Sequence, residues 1–112
     1  MPLLRESKLF GSRRRTQVLI LLALLGESYP SELVRLLGAK LRVVLYIVDD
    51  LEEEGVLASQ RLGRTRRVTL DPRYYAAAEL RALLLKLAEG EPGLQKAASS
   101  RRSRPRRRGK PS

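Results

Sequence analysis

Apolar and polar positions follow two rhythms along this chain, and the change from one to the other marks out its elements. Ser12 stands ahead of a run, Val18–Leu25, in which every position is apolar. A serine there suits an N-cap, because its hydroxyl can accept a hydrogen bond from a first-turn amide that has no helical partner. The spacing predicts a first helix from about Arg13 to Leu25, stopped at Gly26. Tyr29-Pro30-Ser31-Glu32 opens a second helix, with Pro30 placed where a helix has no use for an amide proton. Leu33, Leu36 and Leu37 recur at i, i+3, i+4 and are expected to face inward, leaving Glu32 and Arg35 outside. Gly38 closes that helix. A third starts at Lys40 or Leu41 and reaches Glu54. Its inner face is Val44, Val48 and Leu51; its outer surface includes Arg42, Val43, Leu45, Tyr46, Asp49 and Asp50.

After Gly55 the rhythm shortens to two. Val68 and Leu70 alternate with Arg67 and Thr69, and Leu62-Gly63-Arg64-Thr65 separates them from Val56–Arg61, the pattern of a hairpin. Asp71-Pro72 reads as a cap with a first-turn proline, predicting a last helix over 72–89. Gly90, Pro92 and Gly93 interrupt the pattern. Beyond them Ser, Arg, Pro and Gly leave little to bury, so 90–112 is expected to be a disordered basic tail and 1–8 a flexible lead-in. The fold class is mainly α with a small β-hairpin, in the order helix, helix, helix, hairpin, helix, over 9–89.

Two stretches carry more apolar surface than one small domain needs. A surface helix of a monomer shows one apolar stripe, whereas the first helix is apolar almost all round. Val18, Leu19 and Leu22 suit the core. Ile20 and Leu24 lie on other faces and call for a second cover, which a partner subunit would supply. The stripe Leu80, Leu83, Leu84 and Leu87 in the last helix either folds back on the core or pairs with a symmetry mate.

Composition narrows the partner. The 112 residues hold 23 Lys plus Arg against 12 Asp plus Glu, a formal charge of +11. Such a balance points to a polyanion, either nucleic acid or an anionic membrane face. Much of the excess is in the tail, at Arg101, Arg102, Arg104, Arg106, Arg107 and Arg108, which would add weak sequence-independent attraction. Cysteine and histidine are both absent. That excludes disulfides, thiolate metal sites and imidazole bases. No metal, cofactor or enzymatic activity is expected, and Asp49, Asp50, Glu52, Glu53 and Glu54 read as a solvated acidic helix end. Arg13, Arg14 and Arg15 read as a solvated first turn, and Tyr74-Tyr75 as packing. Val18–Leu25 falls far short of the ~20 residues that span a bilayer. No leader pattern precedes it. A cytoplasmic protein with no membrane partner is expected.

Two helices joined by a Gly-containing turn, as in Pro30–Gly55, have the form of a helix-turn-helix, whose second helix normally enters the DNA major groove. An arginine-rich hairpin follows at once. The groove candidates are Lys40, Arg42, Val43 and Tyr46. The backbone candidates are Arg61, Arg64, Arg66 and Arg67, with Arg64 at the tip.

From Leu9 to Ala88 the chain resembles the ArsR-like winged-helix regulators of bacteria and archaea. The resemblance is carried by LFGSRRRTQVLILLALL, SELVRLLG, and the unbroken run LEEEGVLASQRLGRTRRVTLDP leading into ELRALLLKL. It implies a winged helix-turn-helix acting as a DNA-binding transcriptional regulator. It further implies a homodimer through the first and last helices, with interface positions Ile20, Leu24, Leu80, Leu83, Leu84 and Leu87. Family members that sense metals do so through Cys and His, so no metal effector is expected. The third helix departs from the family pattern. It has no Asn or Gln for adenine, and only Arg42 suits guanine. Two alternatives follow from that face: a low-specificity architectural or nucleoid DNA-binding protein, or a winged-helix protein-interaction module docking through Leu41, Val43, Leu45 and Tyr46.

Overall fold

Ser12 caps the first helix as its position predicts, its Oγ accepting from the Arg15 amide at 3.1 Å. The computed structural model describes residues 9–103. Among them are five helices and one hairpin: α1 (Arg13–Leu25), α2 (Pro30–Leu37), α3 (Leu41–Glu53), β1 (Leu57–Leu62), β2 (Thr65–Leu70), α4 (Ala77–Ala88) and α5 (Pro92–Ser103). The expected lead-in at 1–8 and the arginines at 104, 106, 107 and 108 lie outside the described residues. No described helix is long and apolar enough to cross a membrane.

Helix α1 is the axis of the core. Every residue from Thr16 to Ala23 is buried, which requires cover on all sides, and α1 touches α2, α3, α4, α5 and β2. The last of its helical neighbours was not expected. Where a disordered tail was predicted from residue 90, the chain turns at Gly90 and forms α5. Leu94 and Ala98, spaced i, i+4, bury one stripe of it. Polar composition concealed the helix because two small apolar contacts and a few ion pairs suffice to dock it. Glu91, buried just before its start, accepts from Arg13 Nη1 at 3.2 Å.

This changes the expected dimer interface. Ile20 is fully buried within the single chain, and so is Leu84. Neither is available to a partner subunit. Leu24, Leu80 and Leu87 are half-buried against the same core, and Leu83 alone of the six is exposed.

Helix α4 also begins later than predicted. The Asp71 carboxylate accepts from the Arg73 amide at 2.9 Å, so its side chain competes with helix propagation instead of starting it. Tight turns follow, Tyr74 N–H to the Asp71 carbonyl at 3.1 Å and Ala77 N–H to that of Tyr74 at 3.0 Å, and the helix starts only at Ala77. Tyr74 packs on the core, while Tyr75 beside it is exposed.

Helices α2 and α3 are divided by Gly38, whose φ of 65° and left-handed conformation let the chain turn after two residues more. The inner face of α3 is Val44, Ile47, Val48 and Leu51. The hairpin pairs β1 with β2 antiparallel, from Leu57 opposite Leu70 to Leu62 opposite Thr65. Its turn is Gly63-Arg64. Gly63 takes φ of 64° and, among the described residues, none other than glycine has positive φ, the sign pattern of a II′ hairpin turn that Gly allows. Val68 is fully buried, and its backbone exchanges two hydrogen bonds with Ser28, at 3.0 and 2.8 Å. That short bridge fastens the hairpin to the α1–α2 connection.

Candidate nucleic-acid interface

The exposed side of α3 is set by what the core takes. With Val44, Ile47, Val48 and Leu51 buried, Leu41, Arg42, Val43 and Tyr46 are left facing solvent, and Leu45 is half-covered. Lys40 precedes them as the N-cap residue. A cleft of about 400 Å³ runs between the start of α2, α3 and the hairpin, lined by Tyr29, Leu41, Leu45, Arg61, Arg64 and Arg66 among others. Leu41 and Leu45 of α3 and the hairpin arginines 61, 64 and 66 therefore share one cleft, while the α3 candidates Lys40, Arg42, Val43 and Tyr46 are exposed beside it and do not line it.

The wing arginines expected to act alike divide into two kinds. Arg61 and Arg64 are exposed and have no ion-pair or hydrogen-bond partner among the described residues. Arg66 is engaged within the chain. Its Nη2 bonds Asp49 Oδ1 at 2.7 Å and Glu52 Oε1 at 3.0 Å. Its Nε donates to Ser59 Oγ at 3.0 Å, and Ser59 in turn donates to Glu52. Burial alone would lower the Arg66 pKa, but the bonds and charges of Asp49 and Glu52 outweigh it and hold the guanidinium proton more tightly than usual. Arg61 stands directly opposite Arg66 across the strands. Like charges so placed repel, and the two α3 carboxylates cancel that repulsion. Arg67 is likewise occupied, by Glu27 at 3.2 Å and Gln60 at 2.6 Å.

The acidic end of α3 is therefore not the solvated cluster the sequence pattern implied. Arg15 takes Asp50 at 2.7 Å and Glu54 at 3.3 Å. The first turn of α1 is equally engaged: Arg13 with Glu91, Arg14 with Gln17 at 2.8 Å and the Leu37 carbonyl at 3.3 Å. Of the acids on α3, Glu53 alone has no partner among the described residues. Lys40 and Arg42 at the start of α3 and Arg61 and Arg64 on the hairpin are exposed and have no side-chain partner among the described residues.

Behind this surface lies a contact that sequence reasoning missed. Glu32, expected outside, is 3% exposed. Its carboxylate accepts from Ser28 Oγ at 2.6 Å and from Arg101 Nε and Nη2 at 3.0 and 3.2 Å. Arg101, expected in a solvated tail, also donates to the Glu27 carbonyl. Burial would raise the Glu32 carboxyl, yet the bonds from Arg101 and Ser28, with the charges of Arg101 and Arg35, hold it below the usual carboxylate range. The backbone of Arg102 continues α5. The one available hint was that Arg101 closes the Leu94-Ala98 stripe at i+3.

No protein-family model, curated protein sequence or solved structure matches this chain. Its reading rests on the residues themselves. Among the described residues no group of His, Cys, Asp or Glu could hold a metal ion. The surface carries exposed cations and exposed apolar side chains, Lys40, Arg42, Arg61 and Arg64 with Leu41, Val43 and Tyr46.

Proposed function

We propose that this chain is a winged helix-turn-helix protein that binds duplex DNA, with α3 in the major groove and the hairpin along the backbone. The observation that carries this reading is the sorting of charge. Lys40, Arg42, Arg61 and Arg64 face outward without acidic partners among the described residues, whereas Asp49, Asp50, Glu52 and Glu54 are each held by an arginine. A surface so sorted attracts phosphates and does not repel them at its center. The order of α2, Gly38, α3 and a hairpin supports the winged-helix assignment. A cytoplasmic transcriptional regulator is the role that fits. Pairing of two copies is retained in narrowed form, through Leu83 with Leu80 and Leu87 on α4.

A second reading, a DNA coat with little sequence preference, is favoured by the lack of any amide side chain on the exposed part of α3. Affinities of the full chain for unrelated duplexes decide between them, a ratio near one supporting the coat. The DNA reading itself is tested by titrating a labelled duplex at several salt concentrations with wild type and an Arg61→Ala, Arg64→Ala variant. The variant is expected to bind more weakly, with the slope of log K against log salt reduced by about 0.9 for each phosphate it no longer neutralises. Unchanged affinity and slope would overturn the assignment.

A further inference from the structure

We infer that the exposed face of α3 selects duplex DNA by the C5-methyl groups of the major groove, those of thymine or 5-methylcytosine, with Leu41 and Val43 making the contact. The inference rests on the DNA reading above and gives it a specificity. Leu41 is 50% exposed, Val43 37% and Tyr46 68%. These side chains are spread across the exposed face of the first two turns of α3, with Leu41 and Val43 at its two flanks and Arg42 and Tyr46 between them; exposed large apolar side chains so concentrated mark an interaction site.

The major groove displays hydrogen-bonding edges and, at thymine, an apolar methyl. Against the edges this helix has little to offer. Asn is absent from the chain, and its glutamines are at 17, 60 and 95, away from α3. Arg42, the Tyr46 hydroxyl and the cap residue Lys40 are the polar groups available. Against the methyls it offers Leu41 and Val43 directly.

Charge decides the class of occupant. Lys40 and Arg42 are interspersed with these apolar positions and the hairpin adds Arg61 and Arg64, none of them with an acid partner among the described residues. Asp49, one turn beyond Tyr46, is neutralised by Arg66 at 2.7 Å. Glu53 keeps its charge but lies seven residues past Tyr46, about 10 Å along the helix axis. The occupant must therefore carry dense negative charge and present isolated apolar points between the charges. Duplex DNA bearing C5-methyl groups has both properties.

The test uses the full chain and four synthetic duplexes of equal length at one salt concentration: alternating A·T, the same with uracil for thymine, alternating G·C, and the same with 5-methylcytosine. Each exchange removes or adds only methyl groups. Burying one such group contributes about 0.8 kcal/mol, which is about fourfold in affinity. The thymine duplex is expected to bind at least about fourfold tighter than the uracil duplex, and the methylated G·C duplex tighter than its parent by a similar factor. Leu41→Ala with Val43→Ala should bring both ratios toward one and leave the salt slope, which reports the phosphate contacts, as it was. Both side chains are exposed, so the fold is not at stake. Ratios of one in both arms with DNA binding intact overturn the inference and leave the DNA reading standing. Ratios that persist in the double variant overturn the assignment to Leu41 and Val43. Failure to bind any of the four duplexes overturns the DNA reading, and a protein partner for this face then replaces it.

Discussion

The buried carboxylate of Glu32 on α2 is gripped by Arg101 on α5, 69 residues further along the chain, through two hydrogen bonds of 3.0 and 3.2 Å. Breaking a buried pair by removing one partner costs about 3–5 kcal/mol, because a charge is stranded. Arg101 keeps 29% of its side-chain exposure, so Arg101→Ala is expected to lose somewhat less, about 2–4 kcal/mol in a urea titration. Replacing Glu32 and Arg101 together by Leu should lose less than Arg101→Ala alone. If the single variant unfolds at the wild-type midpoint, the pair contributes nothing.

The same pair sets a pH dependence. The Glu32 carboxyl is held below its ordinary value of 4.5 in the folded chain. A depressed carboxyl contributes stability that is complete above its unfolded value and is lost as pH falls through the folded one. Wild type should therefore lose unfolding free energy below about pH 4.5 in excess of a Glu32→Gln variant, whose curve lacks this contribution. Parallel curves for the two proteins through the acid range would remove Glu32 as the cause.

Arg64 and Arg66, two residues apart, should respond in opposite ways. Arg64 has no partner among the described residues, so Arg64→Ala leaves unfolding unchanged and lowers DNA affinity and its salt slope. Arg66 ties the hairpin to the end of α3. Its partner Asp49 is 63% exposed, so screening keeps the stability loss of Arg66→Ala to about 1 kcal/mol. DNA affinity also falls, because Asp49 and Glu52 are unmasked beside the phosphates. Adding Asp49→Asn and Glu52→Gln to Arg66→Ala should restore part of that affinity. If Arg66→Ala instead lowers the salt slope without touching stability, Arg66 contacts DNA directly.

The contrast between these arginines shows what was legible beforehand. Local signals carried well: Ser12, Pro30, Gly38 and Gly63 each act on the backbone within a few residues, so α1, α2, α3 and the hairpin fall where patterning places them. Asp71 failed locally, because its side chain serves a turn as readily as a helix cap. The larger misses are long-range. Nothing near Arg66 reveals that Asp49 waits 17 residues upstream, and nothing near Glu32 announces Arg101. Helix α5 looked like solvated tail because Leu94 and Ala98 are sparse apolar positions whose value appears only when α1 lies beneath them. The expected second cover for Ile20 was correctly demanded and wrongly assigned to another subunit.

Self-association can now be tested on a single row. Leu83 is 41% exposed on the outside of α4, so Leu83→Lys should leave the thermal midpoint unchanged. Sedimentation equilibrium should show the variant shifted toward monomer relative to wild type. A wild-type chain that stays monomeric at all concentrations removes the proposed pairing, and a dimer indifferent to Leu83→Lys moves it to another face.

Leu94 decides whether α5 is the true cover of α1. It is 6% exposed in a helix that contributes otherwise mainly small or polar residues. Truncating a buried leucine to alanine costs about 2–5 kcal/mol, the spread reflecting how far the surroundings collapse into the space. A site near the end of a short helix can close partly, so Leu94→Ala is expected near 2–3 kcal/mol in that range. Because the cover comes from the same chain, wild-type and variant midpoints should not shift with protein concentration through this contact, whereas cover by a second subunit would make stability rise with concentration. The comparison is cleanest in the Leu83→Lys background, where pairing through α4 is already weakened. Should Leu94→Ala there cost nothing while the midpoint still climbs with concentration, Ile20 is covered by a partner and α5 is not the element that buries it.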